Sequence, residues 1–318
     1  MKTRLHDILR RPHPIVQGGM IWNSGWELAS AVSEAGGLGL VGSGSMRPEI
    51  LVDHVRKAKA ATKEPFGVNI PLIYKYSEEM ARICVDEEVP VVFSSAGSPK
   101  KLTPFLKEHG IRVFHVVSTP ALASKCEAAG VDGVVAEGFE AGGHNGRDEL
   151  TTMVLVPMVR RAVRIPVIAA GGIATGAQMA AAMALGADGV QVGSRFAATV
   201  EGSGHEAFKR AVVDAGPTDT MLTLKKTVPV RLIRNAFCER ALEAESRGAT
   251  PEELAELLGT GRARMGMFEG NLEEGELEIG QCSGLIEDLP SAGDVLRRIA
   301  SECEEALNRL RSLTLQAP

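Results

Sequence analysis

Short apolar runs alternate with amphipathic stretches along most of the chain. Eight runs stand out: IVQGG (15–19), LGLVG (38–42), FGVNI (66–70), VPVVFSS (89–95), RVFHVV (112–117), GVVAEG (133–138), PVIAAGG (166–172) and GVQVGS (189–194). Their apolar positions are near-continuous rather than alternating, the mark of parallel strands buried on both faces. Between them, SGWELASAVSEAGG (24–37), PEILVDHVRKAKAAT (48–62) and GAQMAAAMALGA (176–187) read as helices. Several such stretches stop at glycine, as in EAGG (34–37), EHG (108–110) and AAG (128–130), the usual residue just past a last helical turn. Eight βα units of this kind predict an α/β protein, a closed (β/α)8 TIM barrel; a doubly wound open sheet is the alternative.

The rhythm breaks after the eighth run. Residues 1–214 are expected to form the barrel, and 215–280 a helical insertion after strand eight, a lid over the barrel mouth. Within it, ATPEELAELLGTGRARMG (249–266) reads as one helix with Thr250 as N-cap and Pro251 as first residue. Residues 281–318 form a C-terminal segment whose long helix, PSAGDVLRRIASECEEALNRLRSL (290–313), packs back on the barrel. That helix can pack within a subunit or between two, so a homodimer stays open.

Composition narrows the function classes. The chain of 318 residues is 44% hydrophobic and 24% charged, an ordinary soluble balance. A net charge of −5, no basic cluster and 4% aromatics argue against nucleic-acid binding. No apolar stretch is long enough for a membrane span, and the N-terminus lacks the apolar core of a secretory signal. Five cysteines, at 84, 126, 238, 282 and 303, form no CxxC pair, so a reduced, cytoplasmic protein is expected. No histidine pair has metal-ligand spacing, and no metal site is expected.

In a barrel of this kind the active site lies at the C-terminal strand ends. Strand one ends in Gln17-Gly18-Gly19-Met20, strand three at Asn69, strand six in Glu137, strand seven in Gly171-Gly172 and strand eight in Gly193-Ser194. Glycines after strands seven and eight suit a phosphate held by backbone N–H groups and a helix N-terminus. Gln17, Gly18, Gly19, Met20 and Asn69 suit a flat ring with polar edges, since glycine lets a ring lie on the backbone and Met20 offers soft contact. A planar ring carrying a phosphate makes flavin mononucleotide (FMN) the economical candidate, with another phosphorylated ligand as the alternative. After strand six comes EGFEAGGHNGR (137–147), which places Gly142, Gly143 and His144 at the barrel mouth. An imidazole there suits proton transfer near neutrality, which makes His144 the candidate catalytic residue. Glu140 either orients His144 or is solvated. His115, inside strand five, is expected to be internal, and Cys282 to be a packing residue rather than a nucleophile.

These motifs carry a resemblance. QGGM (17–20), GVN (67–69), EGFEAGGHNG (137–146), IAAGGIATG (168–176), GVQVGSRF (189–196) and GQCSGLI (280–286) resemble the nitronate monooxygenase family. The same motifs occur in the flavin-dependent enoyl-acyl carrier protein reductases. The resemblance implies an FMN barrel in which Gly171, Gly172, Gly193 and Ser194 hold the phosphate. It implies that Gln17, Gly18, Gly19, Met20, Asn69, Glu137, Gly142 and Gly143 surround the rest of the cofactor, with His144 as base or substrate-orienting group. It further implies a small-molecule substrate, an alkyl nitronate oxidised with O2 to a carbonyl compound and nitrite. One departure is a lysine that many members carry near the end of strand five, where this chain has Val116 and Val117.

The alternative is an FMN-dependent reductase in which NAD(P)H reduces the flavin and an enoyl thioester or quinone accepts the hydride. A carrier-protein substrate would need a basic patch by the mouth. The insertion offers Arg231, Arg234, Arg262 and Arg264 against Glu252, Glu253, Glu256, Glu269, Glu273, Glu274 and Glu276. That balance favours the nitronate reading.

Overall fold

The computed structural model describes residues 3–313, so residues 314–318 of the expected C-terminal segment lie outside it. All eight apolar runs are strands. They are β1 (Ile15–Gln17), β2 (Leu40–Gly42), β3 (Gly67–Pro71), β4 (Val91–Ser95), β5 (Arg112–Val117) and β6 (Gly133–Glu137), then, after a two-residue strand β7 (Gly143–His144), β8 (Val167–Ala170) and β9 (Gly189–Val192). The sheet runs β1-β9-β8-β6-β5-β4-β3-β2, all parallel. Leu38 closes it, because its N–H donates to Ile15 O at 2.9 Å while its carbonyl accepts from Gln17 N at 2.9 Å. The result is the (β/α)8 barrel that the pattern predicts.

Two apolar layers explain the near-continuous strands. Inside the barrel Phe93 and Phe114 stack with centroids 4.8 Å apart, packed with Val16, Leu40, Val135 and Ile168. The helix Arg4–Leu9 stops one end of the barrel with Leu5 and Leu9, anchored by Arg4 Nε and Nη2 donating to Asp188 at 2.7 and 2.5 Å. Alternate strand residues pack outward against the helical layer. The C-terminal helix Ala292–Ser312 closes that layer against helix Gly176–Ala184. A Cβ at Gly176 would stand 2.2 Å from Cys303 N, so glycine sets how closely the two helices approach. Among the described residues no helix is long and apolar enough to cross a membrane.

The insertion differs from the all-helical segment expected. It opens with a hairpin, β10 (Thr220–Thr223) and β11 (Val230–Ile233), and β7 joins it as a third strand in the order β10-β11-β7. Helices Ala236–Ser246 and Pro251–Leu258 cover one side of the hairpin through Phe237, Ala241 and Leu254. Thr250 and Glu253 form the capping box that starts the second helix. The helix does not run on to 266: Gly259 takes φ +64° and ends it, and a π-helical turn, Arg264–Phe268, follows.

Candidate active site

A cavity of about 730 Å³ opens at the C-terminal ends of the barrel strands, within the size range of ligand sites. Gly18, Gly19, Met20, Asn69, Glu137, Gly142, Gly143, His144, Gly171, Gly172, Gly193 and Ser194 all line it.

Gln17 does not. It is fully buried, its side-chain carbonyl accepting from Leu40 N at 3.0 Å and its amide donating to Gly18 O. It ties β1 to β2, which corrects its expected place beside the cofactor. Gln191 lines the cavity instead, with Cγ 3.5 Å from where a Gly18 side chain would begin. It is the one polar side chain in the run GVQV, the signal that could have found it.

The glycines leave room for a phosphorylated ring. Gly171 and Gly172 take φ +89° and +68°, a backbone region that favours glycine and leaves this loop without side chains at the cavity wall. A Cβ on Gly193 would meet only Met20 Sδ, at 3.6 Å, and would otherwise enter open space. The helix N-terminus expected to help is already capped. Ala174 N and Thr175 N donate to Gln178 Oε1 at 2.8 and 3.0 Å, and Gly176 N donates to Glu302 Oε2 at 2.7 Å. Only the glycine loops and the start of the short helix Ser194–Ala197 remain for a phosphate. Ser194 Oγ accepts from Gly280 N at 2.8 Å, drawing the chain after the insertion onto that loop.

His144 sits in a braced strand rather than a flexible loop. It pairs with Val230 of β11, and Asn145 N donates to Pro229 O at 2.8 Å. A Cβ at Gly142 would stand 2.4 Å from the Ile279 carbonyl carbon, so the glycine permits close backbone approach. The imidazole is exposed at the mouth. Glu140, half-buried at the cavity wall, turns to Thr152 rather than to His144: its oxygens accept from Thr152 N at 3.0 Å and from Thr152 Oγ1 at 3.2 Å, capping helix Thr152–Ala162.

Burial shapes the remaining titratable groups. His115 is internal, its Nδ1 2.7 Å from Ser94 Oγ, and burial pushes it down to about 4, so it is neutral at pH 7. Burial pushes the Cys282 thiol up to about 11, where it is no nucleophile. Burial raises the Glu137 carboxyl to about 7. Glu278, which the sequence reading did not single out, also lines the cavity, and burial raises its carboxyl as well. No Lys or Arg lines the cavity among the described residues. The four insertion arginines are not sorted onto one free face. Arg231 is buried and donates to Phe139 O at 3.0 Å, and Arg234, Arg262 and Arg264 pair with Glu239, Glu274 and Glu269 at 3.9, 3.4 and 3.0 Å.

A closed barrel whose strand ends ring a glycine-lined cavity with one histidine at its lip is a cofactor-binding barrel enzyme. The model of the nitronate monooxygenase family matches residues 2–84 and 72–302, and the chain belongs to that family of flavin-dependent oxidoreductases. A relative named (3aS,4S,5R,7aS)-5-hydroxy-7a-methyl-1-oxo-octahydro-1H-indene-4-carboxyl-CoA dehydrogenase, from Mycobacterium tuberculosis, is 32% identical over 94% of this chain and 95% of its own length. The nitronate monooxygenase of Paraburkholderia phytofirmans is 31% identical, covering 98% of this chain and 97% of its own. Among solved structures, FabK from Thermotoga maritima is 44% identical with a TM-score of 0.93, covering 98% of this chain and 99% of that one.

Proposed function

We propose that the chain is an FMN-dependent NAD(P)H reductase whose acceptor is an uncharged, apolar-tailed enoyl thioester. The observation that carries this reading is charge. Glu137, Glu140 and Glu278 line the cavity with no Lys or Arg among the described residues. An alkyl nitronate is a small anion and would need donors or a cation beside it. His144 alone could serve, and it would act against three carboxyls. A thioester has no charge to neutralise. The rim suits an acyl chain: Ile73, Leu122 and Val228 are 69%, 40% and 42% exposed there. Two of the similar proteins point the same way, FabK being an enoyl-acyl carrier protein reductase and the mycobacterial relative carrying a CoA thioester in its name.

In this reading Gly171, Gly172, Gly193 and Ser194 hold the FMN phosphate through backbone N–H groups. Gly18, Gly19, Met20 and Asn69 contact the ring and ribityl portion, with Glu137, Gly142 and Gly143 closing around it. FMN bound there supplies hydride transfer between nicotinamide and acceptor. Gly19 keeps the floor flat, because a Cβ would collide with Asn69 Cβ at 2.2 Å. His144 donates the proton that the acceptor carbon needs once hydride has arrived at its neighbour. The braced β7–β11 pair keeps the imidazole in place at the cavity mouth.

The test is anaerobic flavin absorbance. Bleaching by NAD(P)H, with recolouring on crotonyl thioester, is the expected result. Bleaching by propyl-2-nitronate but not by NAD(P)H would overturn the reading in favour of the oxygen-using nitronate reaction.

A further inference from the structure

The last stretch of the insertion brings one carboxyl, Glu278, to the active-site cavity, with Glu276 buried two residues before it. Glu278 bridges Leu232 of β11, and Ile233 N donates to Leu277 O at 2.9 Å. His144 pairs with Val230 of the same strand. Directly opposed residues of an antiparallel pair share a face, and Val230 and Leu232 lie two residues apart. His144 and Glu278 therefore project from one face of the small sheet, about 7 Å apart along it. Glu278 packs against the residue before His144, since a Cβ on Gly143 would stand 2.5 Å from Glu278 Oε2. Its Oε1 is buried with no hydrogen-bond partner. Glu276, two residues earlier, is 5% exposed.

We propose that Glu278, backed by Glu276, is a specificity-determining residue that keeps the acceptor site for uncharged molecules and shuts out small anions. The inference rests on the reading of this cavity as the acceptor site. A buried carboxyl with an unpartnered oxygen must either stay protonated or carry an uncompensated charge. Burial raises both carboxyls, and the neighbouring Glu278 raises Glu276 further. The charged groups around the pair are His144 on β7 and Arg262 from the insertion, the latter held by Glu274 at 3.4 Å. Arg231 on β11 is committed to Phe139 O, and Glu140 to Thr152. No fixed cation is left to offset Glu278, so an incoming anion meets a like charge, or forces the pair to hold a proton it would otherwise release. A neutral carbonyl pays neither penalty.

The test uses FMN-loaded enzyme and two probes of one shape, benzoate and benzamide, with dissociation constants from calorimetry. Around pH 9 Glu278→Gln should tighten benzoate about tenfold, or about 1.4 kcal/mol, and leave benzamide unchanged. Around pH 6, where the pair is protonated, wild type and variant should bind benzoate alike. The same titration is run on the double variant His144→Ala/Glu137→Gln, which takes the imidazole and the other raised carboxyl of the cavity out of the comparison, and benzoate must still weaken with pH if Glu278 and Glu276 are the cause. A benzoate-to-benzamide ratio unchanged in Glu278→Gln, or a flat benzoate profile in His144→Ala/Glu137→Gln, overturns the proposal; the latter decides it even if Glu278→Gln does not fold. Flavin bleaching by NAD(P)H is read separately, so failure of the reductase reading and failure of the anion filter are distinguishable.

Discussion

Replacing Gly193 by Val isolates the phosphate cradle from the fold. Its φ of −103° is open to any residue, so the change strains no backbone. The new Cβ meets Met20 Sδ at 3.6 Å, an ordinary contact, and the branch beyond it enters the cavity. The folded apoprotein should keep its melting temperature within about 2 °C, as for a substitution that buries and breaks nothing. The phosphate should lose its approach to this backbone. Two charge-assisted hydrogen bonds at about 1.5–3 kcal/mol each amount to about 3–6 kcal/mol, or roughly two to four orders of magnitude in FMN affinity. Gly171→Ala is the contrasting variant: with φ +89° and a Cβ 2.6 Å from Gly138 O, it should lower both stability and flavin content. The assay pairs fluorescence titration of apoprotein with FMN and a thermal melt without it. If Gly193→Val purifies with stoichiometric FMN and near wild-type affinity, the phosphate does not lie between these two loops.

His144→Ala should retain FMN and its reduction by NAD(P)H while lowering steady-state turnover by about two orders of magnitude, the usual worth of a positioned acid; unchanged turnover removes His144 from the mechanism. Glu140→Ala should cost about 0.5–2 kcal/mol through loss of the Thr152 cap, read as a lower melting temperature, with a smaller turnover effect than His144→Ala; an equal loss of turnover would assign Glu140 to the chemistry. Glu137 titrates at about 7 in the folded apoprotein against 4.5 when unfolded, so the native state holds the extra proton between them. Its stabilisation is full below about pH 4.5 and is lost as pH rises through 7. The apoprotein melting temperature should fall over that window, and Glu137→Gln should flatten the fall; a parallel profile in the variant counts against a neutral buried Glu137.

The barrel was legible because two apolar layers leave an unmistakable trace. Residues of β3 to β6 face either Phe93 and Phe114 inside or the helices outside, and both sides demand apolar side chains. The glycine punctuation that stops each helix is local chemistry and reads out locally. The same holds for the strand ends, where Gly18, Gly19, Gly171, Gly172 and Gly193 cluster as sequence position alone implies. The hairpin of the insertion was not legible. TMLT and VRLI are too short to separate from helix by period, and their identity as strands depends on pairing with each other and with Gly143–His144.

What the sequence by itself determined is the (β/α)8 frame, the end of the barrel that carries the site, and the glycines and histidine gathered there. The frame follows from periodicity, and the glycines mark where the backbone takes left-handed φ, as at Gly171 and Gly172, or where a side chain would collide, as at Gly19. What tertiary structure decided is which side chains face the cavity. Adjacent strand residues point to opposite sides, so Gln17 turns into a β1–β2 tie while Gln191, from a strand over 170 residues away, faces the site. Glu278 packs beside Gly143 only because β11 pairs with both segments, and no local pattern in LEIG foretells that ladder. Pairing between distant segments is set by the packed whole, and the charge of the active-site mouth is set with it.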